Sequence, residues 1–534
     1  MLAPWRVQAN SPHIYERLLG ATELVSYWDG QFNGTSDMLH HAHIEVTNGD
    51  PSVVLSKSSI STIWSLLKHR FPLLGCRVER RSDTDVLFVV DERALYEVSS
   101  SELEHKPVAS AEEAEEFLDR IVTGPRLLCD ALQARIFVLP RTDKPCHCYI
   151  LLHLAHCITD AISNILLLRT FLDYLHTPLG EPLGLRPRLR LTLPSEDLFF
   201  SALLSPARRR WIRAISVIIN SNRMTKLSGG HTLPRRVTSA TMFTPAHSGF
   251  VSCLLSVEDT RRVIHNCRRH EVTFGNVYPV LGQVALSRVL LRRYLRGEID
   301  EEEWIYRKRE PMSTSGPVSL RPYYNKEWQE KGALNVSLFL GFSFLTLPFM
   351  PLGEAQNIRP GMPLPTFSQI LTPARFLLRS HSIKRQMANV IQNPLSLDVL
   401  NAGLPGHVQT VREFAQATNR NPHITSDQKL LTPMGQSQMG FVITHGESSV
   451  GNLDAFLPFE YGSENGTKIV LHRSGTRIHC RPMEFYLVAE TFRGRLLMYI
   501  FFDKNVYDQK VVEEWLEEVR AATLHYLGED IAKL

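Results

Sequence analysis

No stretch of this chain reaches the roughly 18 apolar residues that a membrane-spanning helix needs. The longest candidate, VSLFLGFSFLTLPFM (Val336 to Met350), is broken by Ser, Gly and Pro and reads as a buried strand. The N-terminal residues MLAPWRVQANSPHIYERLLG lack the apolar core of a secretory signal. Cysteine is sparse: eight residues, at 76, 129, 146, 148, 157, 253, 267 and 480, scattered without a disulfide framework. These absences predict a reduced, cytoplasmic protein whose thiols are mostly small buried side chains. Net charge is low as well. With 59 Lys+Arg against 55 Asp+Glu, a balance of +4 is too small to argue for nucleic acid. No glycine-rich loop of Walker or Rossmann type is present, which argues against ATP or dinucleotide chemistry. The nearest approach to a metal motif is Cys146-His147-Cys148, with no second Cys/His pair at a finger-like spacing, so no metal is expected.

What is present is the composition of an ordinary globular protein, 43% hydrophobic and 21% charged. A chain of 534 residues is too long for one core, so two domains are expected. The reading divides it into 1–200, a crossover at 201–248, and 249–534. In the first part a strand at Met38 to Val46 precedes a helix from Ile60, a strand pair from Cys76 to Val90, an acidic helix (SAEEAEEFLDRIV) and the strand ALQARIFVLP. The Pro/Gly/Arg-rich stretch Gly180 to Asp197 reads as the start of the crossover. Phe199 to Leu227 reads as a helix carrying Arg208, Arg209 and Arg210. Its apolar Trp211, Ile212, Ile215, Val217 and Ile218 are expected to pack on the body, in preference to a membrane-surface role. From Gly249 the strand–helix order restarts. Ile358 to Pro394 and Pro405 to Met434 read as long loops, and the chain closes with a hairpin turning at Arg493-Gly494 and a helix from Lys510 to Leu527.

The stretch CYILLHLAHCITDAISNILLLRTFLDYL (Cys148 to Leu175) carries the chemistry. An apolar run at Ile150, Leu151 and Leu152 predicts a buried strand. Ile162, Ile165, Leu166, Phe171 and Leu172 give helical spacing after it. His156 stands at the corner between them, with Asp160 one helical turn on. An imidazole with an ordinary pKa of about 6.5 can take a proton from a hydroxyl at neutral pH, so His156 is a candidate general base. The pattern alone is weak, since 21 His make about one chance His-x-x-x-Asp. The alternative is a histidine that merely closes a turn. Cys157, beside His156, is poorly placed to form a thiol–imidazole dyad with it.

These residues resemble the superfamily of chloramphenicol acetyltransferases, peptide-synthetase condensation domains and BAHD or alcohol acyltransferases, whose signature is His-His-x-x-x-Asp-Gly at such a corner. Ala155 and Ala161 replace the first His and the Gly. Three further blocks resemble the family in order and spacing: ISTIWSLLKHRFPLLGCRVER (Ile60 to Arg80), GPVSLRPYYN (Gly316 to Asn325) and ESSVGNLDAFLP (Glu447 to Pro458). The resemblance is strongest to fungal alcohol acetyltransferases of the trichothecene 15-O-acetyltransferase type. The Asp-Phe-Gly-Trp-Gly segment of plant members is absent.

The resemblance implies an α/β fold of two chloramphenicol-acetyltransferase-like halves, a pseudo-dimer with a tunnel between them. It implies catalysis by His156 as base, Asp160 paired with Arg321 as support for the corner, and Ser448, Ser449 or Asn452 as oxyanion or substrate contacts. The expected reaction is acyl transfer, acetyl foremost, from acetyl-CoA to a hydroxyl of a specialised metabolite such as a terpenoid alcohol, by a monomer. The alternatives are a free-standing condensation enzyme fed by a carrier-protein thioester, and a non-catalytic small-molecule binding protein of the same fold.

Overall fold

The longest apolar run before the corner, Cys148 to Leu154, becomes the strand His147–Leu154 near the middle of a six-stranded sheet. In this computed structural model, which describes residues 4–176, 184–332, 334–420, 430–438, 440–462 and 466–528, that strand is buried on both faces. Ile150, Leu152 and Leu154 enter one core with the helices Lys57–Arg70 and Ala161–His176. Tyr149 and Leu151 enter another, with the acidic helix Ala111–Thr123. Alternation along a strand divides the two layers, and continuous hydrophobicity marks a strand covered on both sides.

The order across this sheet is Glu460–Gly462, Lys468–Ile478, Met38–Asn48, His147–Leu154, Ala134–Pro140, Leu103–His105. Its first two strands come from far along the chain. Lys468–Ile478 lies antiparallel to Met38–Asn48, with Ser474 opposite Ala42 and Thr476 opposite His40. A second six-stranded sheet runs Leu340–Leu347, Met312–Ser319, Ile443–Asn452, Phe485–Phe492, Arg495–Asp503, Ser248–Leu254. The long helix Phe274–Leu295 and the C-terminal Gln509–Leu527 cover it and share its core. A small four-stranded sheet of Arg6–Gln8, Ser11–Leu18, Val86–Asp91 and Arg77–Arg80 completes an α/β molecule of two halves. The hairpin turn pairs Phe492 with Arg495, and Arg493 and Gly494 take φ of 52° and 67°, the double left-handed conformation of a type I′ turn.

Two segments read as loops are helical. Pro373–Ile391 forms a helix that Pro373 begins at its first turn, and Leu404–Arg420 forms another. Each buries a narrow stripe, Phe376, Ser380 and Ile383 in the first, Val411 and Ala415 in the second, and polar residues elsewhere hide the period. Residues 421–429 and 180–183, parts of the loop and crossover readings, lie outside the described residues. The helix Pro206–Met224, capped by Ser205, departs in another way. Ile212, Ile215, Ser216 and Ile219 turn inward, and Ser216 alone among the helix's described residues is fully buried. Trp211, Val217 and Ile218, expected to pack, face solvent. Among the described residues no helix is long and apolar enough to cross a membrane, and all eight cysteines are free thiols.

Candidate active site

After Leu154 the chain leaves the sheet and turns. The Ala155 N–H donates to Gln133 O and the Ile158 N–H to Ala155 O, so residues 155–158 are pinned before the helix Ala161–His176 begins. His156 is carried on that turn. Its Nδ1–H donates to Thr159 O at 2.7 Å, which leaves the lone pair on Nε2. Burial lowers the imidazole pKa below its ordinary value. The Thr159 carbonyl raises it, the Arg481 charge lowers it, and Asp160 and Asp29 raise it, with the balance on the lowered side. The ring is therefore neutral at neutral pH, with a basic nitrogen available.

Asp160 does a different job. Its main-chain carbonyl accepts from Asn164 N and its Oδ1 accepts from Ser163 N at 2.8 Å, the bonds of an N-cap. The same carboxylate takes a two-pronged contact from Arg321, at 3.0 and 3.1 Å, and the Phe339 N–H at 2.8 Å. Burial pushes its pKa up, but the Arg321 charge and these hydrogen bonds win and hold it below the usual carboxylate value. Arg321 is buried, stacks over Phe339 with its guanidinium carbon 4.9 Å from the ring centroid, and donates to Ser163 Oγ at 2.6 Å. Ser163 Oγ donates in turn to Ser337 O and accepts from Ser337 N. The corner of the first half is thus bolted to residues 321–339 of the second. Ala155 and Ala161 cost it nothing visible. Ala155 is buried in the core, and Ala161 opens the helix with no positive φ that would call for glycine.

A further pair of ion pairs flanks the histidine. The Asp37 carboxylate, whose charge the His156 main-chain N–H favours, is gripped by Arg126 Nε at 2.7 Å. Burial still pushes Asp37 up to about 6. Arg481 Nη2 donates to Asp29 Oδ2 at 2.7 Å, linking the helix Ala21–Gln31 to the segment ahead of Phe485–Phe492. These pairs, and Ser163, escape sequence reading because their partners lie 89 and 452 residues apart and follow no motif.

The three expected oxyanion or substrate contacts lie on one strand, Ile443–Asn452, in the second sheet. Ser448 is half-buried beside Tyr486, whose hydroxyl donates to Glu447 O at 3.1 Å. Ser449 is exposed and lies 3.2 Å from where a Cβ on Gly275 would stand, at the start of Phe274–Leu295. Asn452 Oδ1 accepts from Asp454 N and caps the turn Leu453–Ala455. Among the described residues no hydrogen bond joins the three to His156. Cys157 is buried, its Sγ donates to Gln133 Oε1 at 3.4 Å, and burial pushes its pKa up, so it is inert and turned away from the imidazole's work.

No protein-family profile matches the chain. No curated protein sequence matches it either. Solved structures do. A trichothecene 15-O-acetyltransferase from Fusarium sporotrichioides superposes with a TM-score of 0.71 at 11% identity, over 98% of each chain. The X-domain from teicoplanin biosynthesis gives 0.60 at 12% identity, over 97% of each. The condensation domain of the monacolin K polyketide synthase gives 0.57 at 11%, over 96% of this chain and 97% of that one. Agreement of this extent over both halves, at such low identity, is agreement of fold: the chain shares the fold of that acetyltransferase, the X-domain and the condensation domain.

Proposed function

We propose that the protein is an O-acyltransferase that moves an acyl group, acetyl foremost, from acyl-CoA to a hydroxyl of a specialised metabolite such as a terpenoid alcohol. The observation that carries this reading is the state of His156: half-buried, neutral, with Nδ1–H committed to Thr159 and the Nε2 lone pair left over. In the proposed step Nε2 takes the hydroxyl proton as the alcohol oxygen attacks the thioester carbonyl. A C–O bond forms and the carbonyl electrons move onto oxygen. The tetrahedral species then collapses, the C–S bond breaks, and the proton passes from Nε2 to the departing thiolate. Positioned proton transfer of this kind contributes typically about 10² to 10⁴ in rate. Asp160 and Arg321 touch no substrate in this scheme and act as positioning residues, fixing the turn that presents the ring. Ser449 and Ser448, with Asn452 behind them, are the proposed donors to the oxyanion or substrate. The likeness to an acetyltransferase supports free CoA as donor.

The likeness to a condensation domain supports a second reading, in which the thioester arrives on a carrier protein and the product is an ester or amide. Mass spectrometry of products separates the two. The full chain is incubated with a panel of terpenoid alcohols and either acetyl-CoA or an acyl-loaded carrier protein. Acetylated alcohol from acetyl-CoA is the expected result. Turnover from the carrier alone moves the assignment to the condensation reading, and no product from either leaves a binding protein of this fold.

A further inference from the structure

Three histidines and a glutamate gather on one face of the first sheet, at the end of His147–Leu154 away from His156. They come from three adjacent strands. His43 and Glu45 lie on Met38–Asn48, His147 starts the next strand, and His472 lies on the returning strand Lys468–Ile478. Register brings them together: Glu45 is opposite both His147 and Val470, and His43 opposite Arg473. His472 Nε2 stands 2.7 Å from one Glu45 carboxylate oxygen and His147 Nε2 3.9 Å from the other. One ligand atom from each of Glu45, His147 and His472 lies within 4.8 Å of the other two.

We propose that Glu45, His147 and His472 form a binding site for a zinc-class divalent cation, which fastens the returning strand to the first sheet. Two imidazoles and a carboxylate match the donor chemistry that such ions prefer. At bond lengths of about 2.0–2.2 Å, ligand atoms around a four-coordinate ion stand about 3.3 Å apart, a spacing that lies between the 2.7 and 3.9 Å found here. Three protein ligands leave the fourth position to water. His43 supplies the outer contact that such sites use. When His147 binds through Nε2, its Nδ1–H donates to His43 Nε2, 3.1 Å away. His43 is itself held in place, stacked on Tyr149 with ring centroids 4.6 Å apart.

Nearby cations do not oppose the ion unopposed themselves. Arg141 is paired with Asp143 at 2.9 Å and Arg473 with Glu115 at 2.7 Å. The ligands are half-exposed, so an ion can enter from solvent. His472 is the member that gives the site a purpose, because it alone belongs to the strand that crosses over from the second half. Cys148, which follows His147 in sequence, contributes nothing, because it is fully buried in the core behind.

The test uses the full chain, stripped with chelator, and zinc ion alone. Competition against a chromophoric chelator reads affinity, and hydrogen exchange reads protection of residues 468–478. Wild type is expected to bind one tight equivalent and to gain protection on that strand. His147→Ala and His472→Ala each remove at least tenfold in affinity, and Glu45→Gln removes the same contact with less change of shape. His43→Phe keeps the stack and loses the nitrogen, and weakens binding by about 10–100-fold. Circular dichroism verifies that each variant is folded. Absent binding, or binding unchanged in His147→Ala, His472→Ala or Glu45→Gln, overturns the site. Binding without added protection of 468–478 overturns its role as a fastener.

Discussion

One strand, His147–Leu154, ends in two groups of histidines that could hardly be treated more differently. At its C-terminal end the chain turns at once into His156, whose ring is wired to a backbone carbonyl and surrounded by buried ion pairs. At its N-terminal end His147 joins rings that stack on one another with side chains 20–32% exposed. Burial makes the difference. In the interior an unpaired charge is costly, so the Asp160 carboxylate is tied to Arg321, Ser163 and Phe339, and the Thr159 carbonyl fixes the orientation of the imidazole. At the surface, water satisfies what the protein does not, and the nitrogens stay available to whatever arrives from solvent. Fixed geometry suits proton transfer, and nitrogens converging on a carboxylate within reach of solvent suit capture of an ion.

The largest break in this contrast is expected from His156→Ala, which should lower kcat by two to four orders of magnitude, within the usual range of about 10²–10⁴ for a general base, with the fold intact by circular dichroism. Near-normal turnover would place His156 beside the wiring rather than at its end. Next comes the bolt behind it. Asp160→Asn or Arg321→Ala leaves a buried group without its partner and should cost about 3–5 kcal/mol in chemical unfolding. The double variant should cost far less than the sum, because the pair is broken only once.

A smaller effect concerns pH. In the proposed mechanism the neutral ring is the active form, and its pKa lies below the ordinary 6.5, so the acid limb of kcat/KM should have its midpoint below that pH. The Arg481 charge favours the neutral ring. Arg481→Gln removes it, the pKa rises, and the midpoint should move to higher pH. A shift in the opposite direction would separate Arg481 from the site. The smallest change is expected at the other end of the strand. Without added metal, His472→Ala should alter stability by no more than about 0.5 kcal/mol, the scale of an exposed substitution. A loss comparable with that of Asp160→Asn would erase the distinction between the two ends.

Legibility in the sequence followed the same divide. The corner could be read because its signals are local: an apolar run, a break, then helical spacing within the span from Cys148 to Leu175. The two helices at Pro373–Ile391 and Leu404–Arg420 were hidden because only two or three inward residues carry the period among many polar ones. Asp37–Arg126, Asp29–Arg481 and the group of Glu45, His147 and His472 were invisible for another reason. Strand register and long-range packing assemble them, and a pattern of neighbours in sequence holds no trace of either. Resemblance supplied Arg321 as the partner of Asp160. It did not supply Ser163, which ties that arginine to residue 337 through a single hydroxyl.

The strand Lys468–Ile478 also orders events during synthesis. Met38–Asn48 leaves the ribosome long before the strand that covers its outer edge, which follows more than four hundred residues later. At translation rates of about 5–20 residues per second, that edge waits for tens of seconds with its backbone donors and acceptors unpaired. An unpaired edge is a template for any passing strand. The first half, although it carries His156, is therefore a guest of the second: until residue 478 has emerged, its sheet stays open and in need of a chaperone's cover.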